Sequence, residues 1–230
     1  MPVEERKRDF QSIEQEYDAL YRESPVRDED RAYTFHVQNI LREKPEAASF
    51  LDVACGGGYF LRELDKARGG AGRYYGTDIS AAALELARKE CPRGKFEKAV
   101  AESLPYENAT FDAISCLGSM EHFLDIPKSI HEMRRVAKKD ALFYILVPNI
   151  FWYKDLVSVL MKGIRLTRNQ THERFSSLGE WVELLEENGL RVTKVQKYNG
   201  IARSPLKQWW KDLLLPLKFS YHFIFYCRQA

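Results

Sequence analysis

Short apolar runs alternate with longer amphipathic stretches along most of this chain. That alternation is the βαβα pattern of a doubly wound parallel sheet. Phe50 to Val53 predicts a short buried strand, and Gly56-Gly57-Gly58 follows as a turn. A helix opens at Tyr59, with Phe60, Leu61 and Leu64 at helical spacing. Residues 73–79 predict a second strand ending at Asp78. Residues 81–90, rich in Ala, Leu, Glu, Arg and Lys, predict a helix stopped by Pro92 and Gly94. Residues 95–100 alternate like a third strand, and 111–117 form a fourth. Ile130, Met133, Val136 and Ala137 mark one face of a helix over 126–138. Residues 141–147 are continuously apolar, as in a parallel strand buried on both faces. A helix over 178–188, closed by Gly189, leads to a sixth strand over 190–198. Residues 220–228 alternate as the last one.

Three segments stand outside this rhythm. Residues 9–45 predict two helices broken at Ser24-Pro25, with Phe10, Ile13, Tyr17, Leu20 and Tyr21 on one stripe of the first. They read either as an amphipathic cover on the sheet or as a lid that brings Tyr17 or Tyr21 over a ligand. Residues 150–175 hold many apolar side chains followed by Lys162, Arg165 and Arg168, and read as a cap or as simple cover. Residues 201–219 form a long link with Trp209-Trp210 and Leu213-Leu214-Leu215. The preferred reading packs this link on the sheet or on a second subunit. The alternative lays it in a membrane interface, although Pro205 and Pro216 bound a helix of only about three turns.

Composition narrows the class. A chain of 230 residues is long enough for one domain with a sizeable core, so 1–230 is read as a single domain. With 45% hydrophobic and 30% charged residues it matches a globular protein, and a net charge of +2 demands no polyanion. No nucleic-acid partner is expected. Cys55, Cys91, Cys116 and Cys227 are scattered like reduced, buried thiols. The charged start, Met1 to Arg8, lacks an apolar signal region, and no run approaches the ~20 apolar residues of a membrane span. The expected compartment is the cytoplasm, with peripheral membrane contact left open. The oligomeric state is not specified.

The candidate chemistry starts at Gly56-Gly57-Gly58. A glycine turn between strand and helix lets backbone N–H groups approach a ligand, at a helix end that favours negative charge. Asp78 lies about 20 residues beyond, where nucleotide-binding βαβ units place the acid that binds ribose hydroxyls. Asp78 also reads as a helix N-cap. Ser80 offers the same cap, so both roles are compatible. A nicotinamide fingerprint would need glycines at 56, 58 and 61, and position 61 is Leu.

At this point the chain resembles the class I S-adenosylmethionine-dependent methyltransferases, over roughly residues 49–198. Asp52-x-Ala54-Cys55-Gly56-x-Gly58 is similar to their first motif, with Ala54 where Gly is more usual. Ala101-Glu102-Ser103-Leu104-Pro105-Tyr106, running on to Phe111-Asp112, resembles their third motif, with Val100 in place of the expected acid. Glu121-His122 stands where many small-molecule members carry the same pair. The resemblance implies a Rossmann-like seven-stranded, mostly parallel sheet with an antiparallel last strand. It implies S-adenosylmethionine as cofactor, held by Asp52, Ala54, Cys55, Gly56, Gly58, Asp78, Ile79, Ala101, Glu102, Leu117, Gly118 and Tyr17. Asp52 either shapes the first turn or reaches the amino group through water. The implied reaction is methyl transfer to a small-molecule or lipid-like acceptor, with the atom methylated left open. His122 and His172 are candidate bases, and a structural role for His122 is equally open. As neighbours in sequence, Glu121 and His122 should point in different directions. A metal-binding subset carries Glu where this chain has Gly118, so no metal is expected. A degenerate cofactor-binding protein, supported by Ala54 and Val100, is the alternative, ahead of a nucleotide-dependent oxidoreductase.

Overall fold

A computed structural model describes residues 9–23, 30–163, 174, 176–200, 209 and 213–230. In chain order the elements are α1 (Phe10–Glu23), α2 (Asp30–Glu43), β1 (Ser49–Val53), α3 (Tyr59–Ala67), β2 (Arg73–Asp78) and α4 (Ala81–Glu90). β3 (Lys95–Lys98), β4 (Phe111–Leu117), α5 (Ile126–Val136), β5 (Ala137–Pro148) and α6 (Tyr153–Lys162) follow. α7 (Leu178–Glu187), β6 (Leu190–Tyr198) and β7 (His222–Gln229) complete the chain.

The seven strands form one sheet in the order β3-β2-β1-β4-β5-β7-β6. Strands β1 to β5 pair in parallel, and β7 runs antiparallel between β5 and β6. This is the doubly wound sheet, antiparallel at the last strand, that the sequence predicts. Strand order reverses between β1 and β4. The chain leaves β1 toward β2 on one side and returns to β4 on the other, opening a crevice beyond their C-terminal ends.

Alternating side chains of each strand feed two cores. Phe143, Ile145 and Val147 of β5 face α5 and α7, beside Met133 and Trp181. Leu142, Tyr144 and Leu146 face the other way, toward Val37 and Ile40 of α2 and Leu61 and Leu64 of α3. Local signals set the helix starts. Ser80 Oγ accepts from Ala83 N at 3.1 Å, Asp125 Oδ1 accepts from Lys128 N at 2.9 Å, and Ser177 and Glu180 form a capping box.

Strand β5 begins four residues before the apolar run that predicts it. Its polar opening is held by pairing of Phe111 with Ala137 and by Lys44 Nζ, which donates to Asp140 Oδ2 at 2.6 Å. Strand β3 ends early, at Lys98, and Ala99 N turns back to Asp78 O at 3.1 Å. In the irregular segments, α6 exposes Leu160 and Met161 to solvent. Most of the 201–219 link lies outside the described residues. Of its described members, Leu217 packs against the core while Trp209, Leu213 and Leu214 are exposed, which leaves the second-subunit half of the preferred reading open for those three. No helix among the described residues is long and apolar enough to cross a membrane.

Candidate active site

The turn after β1 is built from three unusual backbone positions. Ala54, Gly56 and Gly58 all have positive φ, at 57°, 52° and 73°. Left-handed backbone costs a residue with Cβ roughly 1–2 kcal/mol. Glycine is therefore the easier residue at position 54, yet Ala54 holds the same conformation. One support for the degenerate reading weakens accordingly. Gly58 N donates to Cys55 O at 3.0 Å, and Cys55 N to Thr77 O at 2.8 Å, which ties the turn to β2. Asp78 completes it, with Oδ2 accepting from Gly56 N at 2.8 Å and Oδ1 from Ser80 N at 2.9 Å. Ser80 caps α4 while Asp78 faces the cleft, so the two roles divide between the two residues.

Two adjoining cavities occupy the crevice. The narrow one, about 90 Å³, runs between Asp78, Ile79, Val100, Ala101, Glu102 and the face of α1. Asp78, the acid at the end of β2, stands in its wall. Val100 lines it where the resemblance expects an acid. Buried Glu102 also accepts from Asp125 N at 3.1 Å, so it braces the start of α5 as well as lining the slot. Tyr17 of α1 lies edge-on to His122, ring centroids 6.5 Å apart. Tyr21 crosses the glycine turn so closely that a Cβ on Gly56 would stand 2.2 Å from its Oη. Helix α1 is thus a lid over this slot.

The wider cavity, about 440 Å³, opens beyond the turn. Tyr21, Ala54, Gly118, Ser119 and His122 line both cavities and join them. Asp52, Cys55, Gly56 and Leu117 reach the wider one. Buried Asp52 accepts from Ser115 Oγ at 2.6 Å. Burial pushes its pKa up to about 7, with the Asp78 charge adding to the rise against the Ser115 hydrogen bond. His122 Nε2 lies 3.9 Å from Glu121 Oε1, so the two side chains converge on the cleft rather than diverging.

Gly58 lines neither cavity. A Cβ there would meet Ala87 Cα at 2.9 Å, so Gly58 seats the head of α3 against α4. His172 lies outside the described residues. Among the described residues no group of three or more His, Cys, Asp or Glu is arranged to hold a metal. The sequence reading missed the far wall of the wider cavity, where Tyr33, His36, Tyr198, Tyr221 and His222 stand. They come from α2 and from the sheet end where β6 and β7 meet. Burial holds the His36 pKa down at about 3, helped by His222, and holds His222 at about 4, so both rings are neutral near pH 7. Nothing in local spacing marks these residues, since antiparallel pairing of Tyr198 with His222 brings them together.

This sheet order and this crevice define the Rossmann-like methyltransferase class. Residues 51–145, less than half of the chain, match the family described as "Methyltransferase domain", and the fold is that of S-adenosylmethionine-dependent methyltransferases. Among known proteins it resembles the uncharacterised methyltransferase YcgJ of Bacillus subtilis, 31% identical over 54% of this chain and 51% of that one. The 2-phytyl-1,4-naphtoquinone methyltransferase of Trichormus variabilis is 35% identical over 42% of this chain and 44% of that one. The chain thus spans about half the length of the curated relatives it matches. A methyltransferase structure from Aquifex aeolicus superposes with a TM-score of 0.62 at 21% identity, covering 97% of this chain and 100% of that one. The [4+2]-cyclase SpnF gives 0.69 at 18% identity, covering 97% of each chain. One fold thus carries different chemistries, and the chemistry has to be argued from the site.

Proposed function

We propose that this protein transfers the methyl group of S-adenosylmethionine to a small, uncharged acceptor. One observation carries the choice of cofactor. Asp52, Asp78, Glu102 and Glu121 line the two cavities, and no Lys or Arg does so among the described residues. Such a lining favours a ligand bearing a sulfonium and an ammonium. It disfavours the pyrophosphate of a nicotinamide dinucleotide, and buried Leu61 occupies the position where that fingerprint needs Gly.

In this reading the narrow slot takes the adenosine, with Asp78 at the ribose and the Ala101 backbone at the adenine edge. The glycine turn and Asp52 take the amino-acid end. S-adenosylmethionine supplies an electrophilic methyl group on cationic sulfur. The protein's share is positioning and exclusion of water, which the Tyr17 and Tyr21 side of the lid provides. His122 stands where the two cavities meet and is the candidate to hold or relay an acceptor proton; His172 shares that candidacy.

The same lining refines the acceptor. The aromatic and basic residues of the 150–175 segment, taken alone, suit either an apolar or an anionic compound. The cavity supports a neutral one, since carboxylates and neutral imidazoles surround it. A quinol-like acceptor agrees with relatives that methylate naphthoquinones. Titration calorimetry should show S-adenosylmethionine and S-adenosylhomocysteine binding, with Asp78→Ala weakening both by roughly 1.5–3 kcal/mol. Incubating the protein and methyl-labelled cofactor with metabolite extracts should yield a labelled product. Tight binding of a nicotinamide dinucleotide with none of S-adenosylmethionine would sink the reading.

A further inference from the structure

Behind the far wall of the wider cavity lies a hydrogen-bonded unit centred on Tyr144. His36 Nδ1 lies 2.8 Å from Tyr144 Oη, and Asn39 Nδ2 donates to the same oxygen at 3.3 Å. All three residues are buried. Their donors and acceptors can be counted. The Asn39 amide gives a hydrogen to Tyr144 Oη. The phenol has one proton of its own to place. That proton goes either to His36 Nδ1, at 2.8 Å, or to Tyr226, the other hydrogen-bond partner of the phenol. A neutral imidazole that accepts at Nδ1 carries its proton on Nε2. Burial keeps the ring neutral and keeps the Tyr144 phenol protonated.

We propose that His36, oriented by Tyr144, is the acceptor-binding residue of the cleft and offers its Nε2–H to an oxygen of a neutral, planar substrate. The inference rests on the methyl-transfer reading and names the substrate class of the same site. Three observations support it. His36 lines the wider cavity, and Nε2 is the nitrogen that Tyr144 leaves for a ligand. Aromatic rings border that wall, with Tyr198 4.8 Å from His36 and Tyr221 3.9 Å from His222 between centroids, which suits a flat molecule. His222 Nδ1 is buried with no hydrogen-bond partner among the described residues, a polar atom that such a ligand would satisfy. A carboxylate or phosphate on the substrate would meet Asp52 and Glu121, and no Lys or Arg lines this cavity among the described residues.

Two measurements test this, the first without any ligand. Proton–nitrogen correlation spectra of the histidine side chains should show His36 as the Nε2–H tautomer. The Nδ1–H tautomer would mean that Tyr144 gives its proton to Tyr226 instead, and it overturns the proposal. The second uses naphthol, naphthoate and methylnaphthalene as probes, titrated by calorimetry with S-adenosylhomocysteine present. The parent protein should bind naphthol about tenfold tighter than methylnaphthalene, as for one neutral hydrogen bond, and naphthoate more weakly than naphthol. His36→Phe should erase the preference for naphthol, and His36→Gln, which keeps a donor at similar reach, should restore most of it. Naphthol binding unchanged in His36→Phe, with S-adenosylhomocysteine still bound, overturns the role of His36. Tighter binding of naphthoate overturns the substrate class. If S-adenosylhomocysteine fails to bind the parent, the methyl-transfer reading falls, while the tautomer still decides the state of His36. If His36→Phe does not fold, the tautomer and the preference of the parent for naphthol over methylnaphthalene decide.

Discussion

Asp18 on the lid helix and Ser80 at the head of α4 hold each other. Ser80 Oγ donates to Asp18 Oδ1 at 2.5 Å and accepts from Ala83 N at 3.1 Å. Ala82 N donates to the same carboxylate oxygen at 3.2 Å. The Ser80 hydrogen bond, with Ala82 and Arg22 adding to it, holds the Asp18 carboxyl below the usual range. A negative charge is also well placed at a helix N-terminus. Helix α1 has Ile13 as its one buried residue, so little apolar packing holds it down. The Asp18 clamp is what sets Tyr17 and Tyr21 over the slot.

Removing that clamp should loosen the lid without unfolding the domain. Asp18→Ala is expected to weaken S-adenosylhomocysteine binding by about 1 kcal/mol, the size of a lost helix cap. Limited proteolysis should cut within α1 faster, and bound ligand should slow the cut. Unchanged affinity together with an unchanged cleavage rate would show that α1 is held by something else.

The glycine turn makes opposite predictions at neighbouring positions. Gly56→Ala places a Cβ in left-handed backbone and against Tyr21 Oη, so it should cost roughly 1–2 kcal/mol of strain and displace the lid. Cofactor binding should fall sharply. Ala54→Gly removes left-handed strain but adds freedom to the unfolded chain, by about 0.4–1 kcal/mol. Its thermal midpoint should hold or rise, with cofactor binding intact. A stability loss in Ala54→Gly as large as that in Gly56→Ala would contradict this account.

Most residues expected to hold the cofactor do line the two cavities, because their placement is local. Gly56, Asp78, Ile79, Ala101 and Glu102 lie at strand ends that hydrophobic periodicity locates, and strand order then gathers them. The packing constraint on Gly58 was not legible, because it is the approach of Ala87, a contact with another helix. The far wall of the wider cavity was illegible for a related reason. His36 comes from a helix that reads as cover or as part of a lid, with only Tyr17 and Tyr21 marked as ligand contacts, and its partner Tyr144 sits in a strand whose run looks uniformly apolar. Their contact spans 108 positions of sequence. A buried Tyr in a parallel strand needs a hydrogen-bond partner, and that need was the available signal.

Asp112, the acid of the Phe-Asp pair, is a structural tie. Its Oδ2 accepts from Ala48 N, Ser49 N and Ser49 Oγ at 3.0, 2.9 and 2.7 Å, and Oδ1 pairs with Lys138 Nζ at 2.7 Å. Burial opposes its charge, but Lys138 and the Ser49 and Ala48 hydrogen bonds overcome that and hold the carboxyl well below its usual range. A depressed folded pKa gives stability that is present above the unfolded value of 3.8 and lost as pH falls below it. Asp112→Asn should therefore destabilise the fold at neutral pH by about 1.5–3 kcal/mol for the charged hydrogen bonds lost, seen as a lower thermal midpoint. The difference from the parent should shrink in acid, and cofactor affinity should be unaffected. A midpoint difference independent of pH would separate this site from the acid lability of the fold.

Asp52 titrates in the opposite sense, and the cofactor should feel it. Its unfolded pKa is near 3.8 and its folded value is about 7. The stability tied to its proton is fully present below 3.8 and is lost as pH rises to about 7. Above that, the folded chain carries a buried carboxylate beside Asp78. Asp52→Asn removes that burden while leaving an acceptor for Ser115, so its midpoint should exceed the parent's on the alkaline side and approach it in acid. A ligand with a sulfonium and an ammonium reverses the preference, because positive charge nearby favours the ionised carboxylate. Binding should then expel the Asp52 proton at any pH below about 7. The affinity of the parent for S-adenosylmethionine should climb by up to about tenfold per pH unit toward that value and then level. Calorimetry in buffers of different ionisation enthalpy should count close to one proton released on the acid side. Asp52→Asn should bind more weakly, with a flat pH profile and no proton released from this site. If the affinity of the parent is flat across this range, Asp52 shapes the turn and does not meet the cofactor's charge.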